Sequence, residues 1–269
     1  MILLLYQLLF PAVAAAIFLR LIFVGRFRTL AEGFPELLQR LGRPPEETLR
    51  GGVERAGRRL WFHAASVGEV SAAEPLIRAL LERAPGTRIL MTTSTVAGRE
   101  RARGIPGVRA VLAPMDFLPA VLAFLRRARP DALVLIETEL WPMTLWAAAR
   151  RGVRIALANG RMTERAFGRY RWGRALFAPL LAKVERAAVQ TEKDAERFRA
   201  LGVPADAIAR TGNMKYDLEA VPVSGDDEIN ARLGALGWAG APFGTAGSTR
   251  PGEEETLLDA HAKTAAKLP

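Results

Sequence analysis

The amino-acid sequence predicts an α/β fold built on a Rossmann-like parallel β-sheet. Short runs that are apolar on both faces alternate with longer helical patterns from residue 60 onward. Strands of this kind are buried on both sides, which requires helices on both faces of the sheet. The sequence predicts strands at 60–66, 88–95, 108–114, 132–139, 154–160, 186–191 and 207–213.

The composition limits the chemistry that the chain can perform. The 269 residues include no cysteine, which excludes thiol nucleophiles, thiolate metal sites and iron–sulfur clusters. Only His63 and His261 are present as bases for a serine triad, which argues against that class. The net charge of +10 favours phosphate-bearing partners. Because the arginines are spread over many helices without interleaved aromatics, nucleic acid is not an expected partner.

The first 19 residues form an apolar run interrupted only by Gln7 and Pro11. As a helix it would span about 28 Å, close to the thickness of a bilayer core. No basic residue precedes position 20, which argues against a cleaved signal peptide, and the bases that follow place the rest of the chain on the cytoplasmic side. A buried helix kinked at Pro11 and a helix lying in the membrane interface remain alternatives.

The chain is predicted to have five segments. The last contains a strand at 241–247 and a helix from Glu253 to the end, which form either the final βα unit of the same sheet or the start of a second domain. The missing helix C-cap favours the second alternative. The segments are a membrane anchor at 1–25, a basic amphipathic connector at 26–58, the Rossmann-like domain at 59–217, a linker at 218–240 and the beginning of another domain at 241–269.

Candidate functional residues follow the predicted strands, since ligands of open parallel sheets bind at the carboxyl ends of the strands. Glu69 lies in the first turn of the helix after the first strand. The helix dipole is expected to keep this carboxylate ionised, a state suited to a general base. The alternative is an ordinary first-turn glutamate that stabilises its own helix.

Two further carboxylates follow the fourth strand. Glu137 and Glu139 share a side if the strand continues through them, and mutual repulsion makes such a pair costly without a cation or a ligand. Lys215 follows the last strand and is placed to meet negative charge in the cleft. The alternatives are a solvated strand end with Trp141 in the core, and a solvated lysine.

Other strand ends carry uncharged polar groups and one arginine. The hydroxyls of Thr93, Ser94 and Thr95 are suited to hold a phosphate or a sugar, or to cap the next helix. Asn159 and Arg161 are predicted to lie at the same rim. No dinucleotide fingerprint, P-loop or metal-ligand spacing is present in the sequence, which argues against hydride transfer, ATP hydrolysis and a metal site.

Several short motifs occur in an order that carries a family resemblance over nearly the whole chain. They are His63 to Glu69, Thr92 to Thr95 with Gly98, Pro114 with Asp116, Glu137 to Pro142, Asn159 with Arg161, Gln190 with Glu192 and Asp194, Thr211 to Lys215, and Ser248 to Glu254. In this order they resemble the 3-deoxy-D-manno-octulosonic acid (Kdo) transferases of lipopolysaccharide synthesis.

The resemblance implies a glycosyltransferase-B fold with an acceptor-binding Rossmann-like domain and a second domain that binds the nucleotide sugar. It implies attachment to the inner membrane, with its anionic lipid, and an active site on the cytoplasmic face. The implied reaction is an inverting transfer of Kdo from CMP-Kdo to the lipid A precursor lipid IVA, with no cofactor and no metal ion.

The resemblance also implies roles for individual residues. Glu69 would accept the proton of the lipid hydroxyl, and Glu137 and Lys215 would stabilise the transition state. The residues implied to bind substrate are Ser66, Gly68, Thr93, Ser94, Thr95, Glu139, Trp141, Asn159, Arg161, Asn213, Ser248 and Thr249.

The sequence departs from the family pattern in several places. Met143 replaces the usual asparagine, Gly160 the usual alanine, and Arg250 the usual histidine. Met143 lacks a hydrogen-bonding amide, which is expected to alter acceptor contacts. The family also continues for about another domain, so most of the CMP site is expected to lie beyond this sequence.

The alternative function is a catalytically silent, membrane-anchored module that binds acidic lipid or a partner protein. Self-association through the uncovered face of the domain is also expected.

Overall fold

A computed structural model of the chain describes residues 3–7, 34–50, 57–217, 226–238, 246–247 and 249–265. The chain divides into two compact units, Met1–Leu218 and Glu219–Pro269. The first unit contains all the candidate site residues except Ser248 and Thr249.

Within the described residues, seven strands form one parallel sheet in the order β3-β2-β1-β4-β5-β6-β7. All seven predicted strands are confirmed, most of them ending a few residues earlier than predicted. Their bounds are β1 Arg59–His63, β2 Arg88–Thr93, β3 Val108–Leu112, β4 Ala132–Ile136, β5 Arg154–Gly160, β6 Val184–Val189 and β7 Ile208–Arg210.

Helices connect these strands, as expected for βαβ units. Two helices lie in the described residues directly before the sheet, α1 Phe34–Arg40 and α2 Glu46–Arg50. The connecting helices are α3 Val67–Arg83, α4 Val96–Arg103, α5 Leu118–Ala128, α6 Pro142–Arg150, α7 Glu164–Trp172, α8 Arg174–Leu181 and α9 Glu192–Leu201. Short 3₁₀ helices lie at Ala205–Ala207 and Met214–Asp217.

The core lies on both faces of the sheet. On one face, Ile77 of α3 and Ala102 of α4 pack with Phe62 and Met91 of the strands. On the other face, one cluster contains Phe124 of α5 together with buried residues of α6, α8 and α9. The two-sided burial confirms the inference drawn from strands that are apolar at consecutive positions.

Local sequence signals account for several helix starts. Ser66, Thr95, Thr163 and Thr191 are N-caps, and each side-chain hydroxyl accepts a hydrogen bond from the backbone N–H three residues later. At the start of α9 the carboxylate of Asp194 accepts a bond from the backbone N–H of Thr191 in return, completing a capping box. These helices therefore begin where polar side chains satisfy otherwise unpaired N–H groups.

The predicted anchor at residues 1–25 lies outside the described residues, except for residues 3–7. Those five residues are helical and pack on the sheet domain. The Tyr6 hydroxyl donates to Asp116 Oδ2 at 2.9 Å, and Gln7 Oε1 accepts from the Leu118 backbone N–H at 2.7 Å. No helix in the described part of the chain is long and apolar enough to cross a membrane.

The second unit contains two helices in its described residues, α10 Asp226–Ala235 and α11 Glu253–Ala265. The structure thus places a ten-residue helix inside the segment predicted as a linker. The strand predicted at 241–247 lies outside the described residues except for residues 246–247. The predicted helix from Glu253 is present.

Gly160, where the family usually has alanine, lies at a tightly packed end of β5. A Cβ atom there would meet Leu157 Cδ2 at 2.8 Å and Val189 Cγ1 at 3.0 Å. We therefore expect Gly160→Ala to lower the free energy of unfolding by about 1 kcal/mol through overpacking. Gly168 in α7 has open space around its Cα, and Gly168→Ala should raise the free energy of unfolding by about 0.5 to 1 kcal/mol. Urea unfolding measures this free energy for both variants. A Gly160→Ala variant that is more stable than the parent would contradict the overpacking argument.

Candidate active site

The strand order reverses between β1 and β4, which are neighbours in the sheet although two strands separate them in the chain. Chains leaving such neighbours turn to opposite faces and open a crevice at the carboxyl edge, where ligands of this fold class bind. The segments that border this crevice are residues 64–69 after β1 and residues 137–141 after β4.

Glu69 is held at the start of α3 by three hydrogen bonds. Its Oε2 accepts from the Ala65 backbone N–H at 2.7 Å, and its Oε1 accepts from the Ser66 hydroxyl at 3.0 Å. The Ser66 oxygen in turn accepts from the Glu69 backbone N–H at 3.4 Å. The carboxylate therefore closes a variant of the capping box, so the helix-stabilising role that the sequence left open is present in the geometry.

The pKa of Glu69 is shifted in the direction opposite to the effect of the helix dipole. The helix dipole was expected to hold the carboxylate ionised, but burial raises its pKa above the usual value, and the negative charges of Glu139 and Glu137 raise it further. The hydrogen bonds from Ala65 and Ser66 oppose the rise without cancelling it. A raised pKa brings the carboxylate closer to the range in which a general base works best at neutral pH.

Glu137 and Lys215 form an ion pair across the crevice. Lys215 Nζ lies 3.1 Å from Glu137 Oε1, and the glutamate side chain is the more buried partner. The backbone of Glu137 is left-handed, with φ of 57°, a conformation that non-glycine residues rarely adopt. A strained backbone at a ligand-binding edge is typical of a functional position.

The 3₁₀ helix that carries Lys215 is fixed by two asparagines. The buried Asn159 accepts a hydrogen bond from the Met214 backbone N–H at 3.1 Å, and Asn213 accepts from the Lys215 backbone N–H at 3.1 Å. Met214 packs against the core on the α3 side of the sheet. Asn159, which is fully buried, therefore positions the lysine, and its Nδ2 has no hydrogen-bond partner among the described residues.

Glu139 has partners different from those of Glu137. The two carboxylates were expected to share a side if β4 continued through them, but β4 ends at Ile136 and the left-handed turn at Glu137 separates them. Glu139 Oε2 accepts from Trp141 Nε1 at 2.8 Å and lies 3.7 Å from His63 Nε2, longer than a hydrogen bond. Burial opposes ionisation, but attraction to His63 and the Trp141 bond hold the pKa of Glu139 below its usual range.

The hydroxyl cluster after β2 is mainly structural. Thr95 caps α4, the buried Thr93 donates to the Thr95 carbonyl at 2.9 Å, and the carbonyl of Ser94 accepts from Arg40 Nη2 at 2.6 Å. The Ser94 backbone N–H also donates to the Ala65 carbonyl at 3.1 Å, which ties this segment to the one before Glu69. The cluster thus supports the crevice wall.

The remaining predicted residues lie in several places. Gly68 is exposed in the first turn of α3, and Arg161 is exposed after β5. Thr249 lies in the second unit and donates to Glu254 Oε1 at 2.7 Å, whereas Ser248 lies outside the described residues. Within the described ranges, no group of three or more acidic or histidine side chains is arranged to hold a metal ion.

Comparison with known families assigns this arrangement. Residues 35–218 match the sequence profile of the family described as 3-Deoxy-D-manno-octulosonic-acid transferase (kdotransferase). The chain belongs to the Kdo transferase family. The matched range contains β1 to β7 together with Glu69, Glu137 and Lys215, so the crevice lies within the family's shared region.

Two curated Kdo transferases illustrate the match. The chain is 33% identical to the 3-deoxy-D-manno-octulosonic acid transferase of Haemophilus influenzae over 215 residues, covering 78% of this chain and 49% of the relative. It is 35% identical to that of Bordetella pertussis over 211 residues, covering 75% of this chain and 47% of the relative. The chain therefore spans about half the length of the relatives that it matches.

A solved structure supports the fold. The UDP-GlcNAc 2-epimerase of Neisseria meningitidis, determined with UDP-GlcNAc, superposes with a TM-score of 0.52 at 13% identity, covering 76% of this chain and 62% of the epimerase. This likeness supports the Rossmann-like domain of the glycosyltransferase-B type that the sequence predicted.

Asp116 has a role in this family member that sequence reasoning did not assign. Its buried carboxylate accepts from the backbone N–H groups of Met143 and Thr144 at 2.9 and 2.7 Å, and from the Tyr6 hydroxyl. It therefore both caps α6 and binds the N-terminal segment. Burial raises the pKa of this carboxyl group. The sequence signal was an aspartate shortly after a strand, which alone does not identify its partners.

Met143 does not have the expected effect on the crevice. Its side chain is buried in the core, and only its backbone N–H contacts Asp116. The position that lacks the amide therefore lies in the core and not at the crevice surface.

His63 is another residue to which the sequence assigned no role. Its ring lies between Thr92 Oγ1, at 2.9 Å, and Glu139.

We expect Glu69→Gln to be as stable as the parent at pH 4 and more stable at pH 7.5. The raised pKa lets the folded state keep the proton in a pH range where the unfolded chain, near its usual value of 4.5, has lost it. The parent's stability therefore falls, relative to the glutamine variant, as pH rises through the raised pKa. Urea unfolding at both pH values measures the difference.

Glu192, an exposed first-turn glutamate of α9, supplies the matched control. Glu192→Gln should lose a few tenths of a kcal/mol at pH 7.5, because it removes only a favourable interaction with the helix dipole. If Glu69→Gln loses stability in the same way, the dipole and not burial dominates at Glu69.

Proposed function

We propose that this chain supplies the acceptor-side half of a glycosyltransferase that moves Kdo from CMP-Kdo to the lipid A precursor lipid IVA in lipopolysaccharide synthesis. Membership of the Kdo transferase family supports the sugar that is transferred. Since the chain spans about half of its relatives, the nucleotide-sugar site is assigned mainly to the part of those relatives that this chain does not cover.

The observation that carries this proposal is the Glu137–Lys215 ion pair beside Glu69 at the point where the strand order reverses. An acceptor hydroxyl in the crevice would meet one carboxylate able to take its proton and one charge pair of opposite signs. This combination suits a transfer in which a proton is lost, positive charge develops on a sugar ring and a phosphate leaves.

In the proposed mechanism Glu69 accepts the proton of the lipid hydroxyl as that oxygen attacks the anomeric carbon of Kdo. The bond from this carbon to the CMP phosphate breaks on the opposite side, so the configuration inverts. Lys215 offers positive charge to the leaving phosphate, and Glu137 offers negative charge to the ring as it gains cationic character. Both charges are already in place before the substrate arrives, since each residue holds the other.

Supporting residues are proposed to shape the acceptor side of the crevice. Ser66 and Gly68 bring the N-terminus of α3 to the crevice, where N–H groups favour an anion. Glu139 and Trp141, linked by their hydrogen bond, form the opposite wall and offer hydrogen-bond acceptors and an aromatic face to a sugar. Arg161, exposed at the same edge, would attract a phosphate of the acceptor.

We expect Glu69→Gln to lower the rate of Kdo transfer by about 10²- to 10⁴-fold, because glutamine keeps the shape and the Ala65 hydrogen bond but accepts no proton. The assay uses CMP-Kdo and lipid IVA, with the chain joined to the C-terminal half of the Haemophilus influenzae relative. Acceptor binding, followed separately, should hardly change.

Glu82→Gln is the matched control, since Glu82 is an exposed glutamate of the same helix without a place in the crevice. It should transfer Kdo at the parent rate. If Glu69→Gln also does so, Glu69 serves only the helix start, and Glu137 becomes the stronger candidate for the base.

We further propose that the N-terminal segment attaches the protein to the inner membrane with the sheet domain on the cytoplasmic face. Basic residues follow the apolar run, and basic flanks are retained in the cytoplasm. Protease added to intact spheroplasts should leave the sheet domain uncut, whereas lysis should expose it. Digestion in intact spheroplasts would refute this orientation.

A further inference from the structure

The amino ends of the strands form a second concave surface, opposite the crevice. A cavity of about 660 Å³ lies there, between the starts of β1, β2 and β3 and the end of α5. We call it the amino-end groove. Six arginines line it: Arg59, Arg88, Arg109, Arg126, Arg127 and Arg129.

Several arginines elsewhere in the protein form ion pairs with glutamates. Arg78, Arg99 and Arg154, for example, lie 2.5, 3.0 and 2.8 Å from glutamate oxygens. None of the six groove arginines forms an ion pair within the described part of the chain. Where their side chains do bond, the partners are carbonyl oxygens, as for Arg109 and Thr48. Among the described lining residues, six arginines therefore face one carboxylate, that of Glu46, and positive charge is in excess.

The helix dipole explains the position of only three of the six arginines. Arg126, Arg127 and Arg129 lie at the C-terminal end of α5, where the helix dipole favours cations. The other three begin strands and have no such support. Arg59 and Arg88 are directly paired across β1 and β2, so two like charges start from adjacent backbone positions. Like charges placed opposite each other in a sheet destabilise it unless something binds between them.

One buried donor in the groove has no acceptor among the described residues. It is Arg88 Nε. A buried donor left unpaired costs free energy that a hydrogen-bonding ligand would recover. Because guanidinium groups present several donors in a planar fork, the ligand that suits such a cluster has phosphate oxygens.

We propose that the amino-end groove is an anion site that binds a ligand carrying two neighbouring phosphate groups, separate from the crevice. The cavity is within the size range of small-molecule sites. Such phosphates occur on soluble compounds and on the head groups of phospholipids, and both sources present the same oxygens to the arginines. This inference stands on the groove alone and does not depend on Kdo transfer.

The direct test is calorimetric titration of the full chain with inorganic diphosphate at low salt. The double variant Arg88→Gln with Arg109→Gln should bind at least tenfold more weakly than the parent, since two charge-assisted contacts are lost. Diphosphate should also raise the melting temperature of the parent and not that of the variant. The exposed pair Arg126→Gln with Arg127→Gln provides a second variant that leaves the strands untouched.

The matched control is Arg165→Gln with Arg186→Gln, which removes the same charge from exposed positions outside the groove. It should bind diphosphate as the parent does. The proposal is overturned if the parent shows no diphosphate binding, or if the groove variants and the control weaken it equally, because general charge would then explain the result.

Co-sedimentation with phosphatidylcholine vesicles that contain CDP-diacylglycerol, a lipid with two neighbouring phosphates, separates the two sources. Vesicle binding is measured as the increase over vesicles of phosphatidylcholine alone, since the N-terminal segment is itself proposed to bind membranes. If the groove variants lose vesicle binding while the control keeps it, the site takes a lipid head group. If the groove variants lose diphosphate binding but sediment as the parent does, the site takes a soluble compound. Either result supports the groove as the phosphate site.

Discussion

The pairing of β1 with β4 determines where the chemistry of this protein is located. It brings together two strands that β2 and β3 separate in the chain, and the segments leaving them diverge to open the crevice. Glu69 is carried by the first of these segments and Glu137 by the second. Lys215 reaches the same place only because β5, β6 and β7 extend the sheet in one direction and the 3₁₀ helix then returns to α3. The active-site geometry is thus a consequence of strand order.

Three carboxylates lie near this crevice, and each is stabilised by different partners. Glu69 uses a backbone N–H and a hydroxyl, Glu137 uses the ammonium group of Lys215, and Glu139 uses an indole N–H near His63. Burial is the main cause of the raised pKa of Glu69, and the negative charges of Glu139 and Glu137 raise it further. The neighbouring carboxylates therefore contribute to the proton affinity of Glu69 without contacting it.

Sequence patterns predicted the elements well because strand burial and helix capping are local properties. The seven strands and the cap at Thr95 each depend on a few consecutive residues. The sequence did not predict the left-handed turn at Glu137, which separates the two carboxylates expected to lie together, or the cap that Asp116 provides to α6. These features depend on contacts between distant segments, which composition and periodicity do not specify. The same reason hid the amino-end groove, whose arginines come from four separate segments.

The two ends of the sheet differ in electrostatic character, and the parallel α/β architecture explains part of this difference. Helix N-termini face the carboxyl edge and helix C-termini face the amino edge, so dipoles favour acids at one edge and bases at the other. Glu69 and the three arginines at the C-terminal end of α5 follow this rule. The helix dipoles do not account for Arg59, Arg88 and Arg109, because these residues belong to strands, whose dipoles are small. An anion bound between Arg59 and Arg88, which lie opposite each other in the sheet, would offset the repulsion of two like charges.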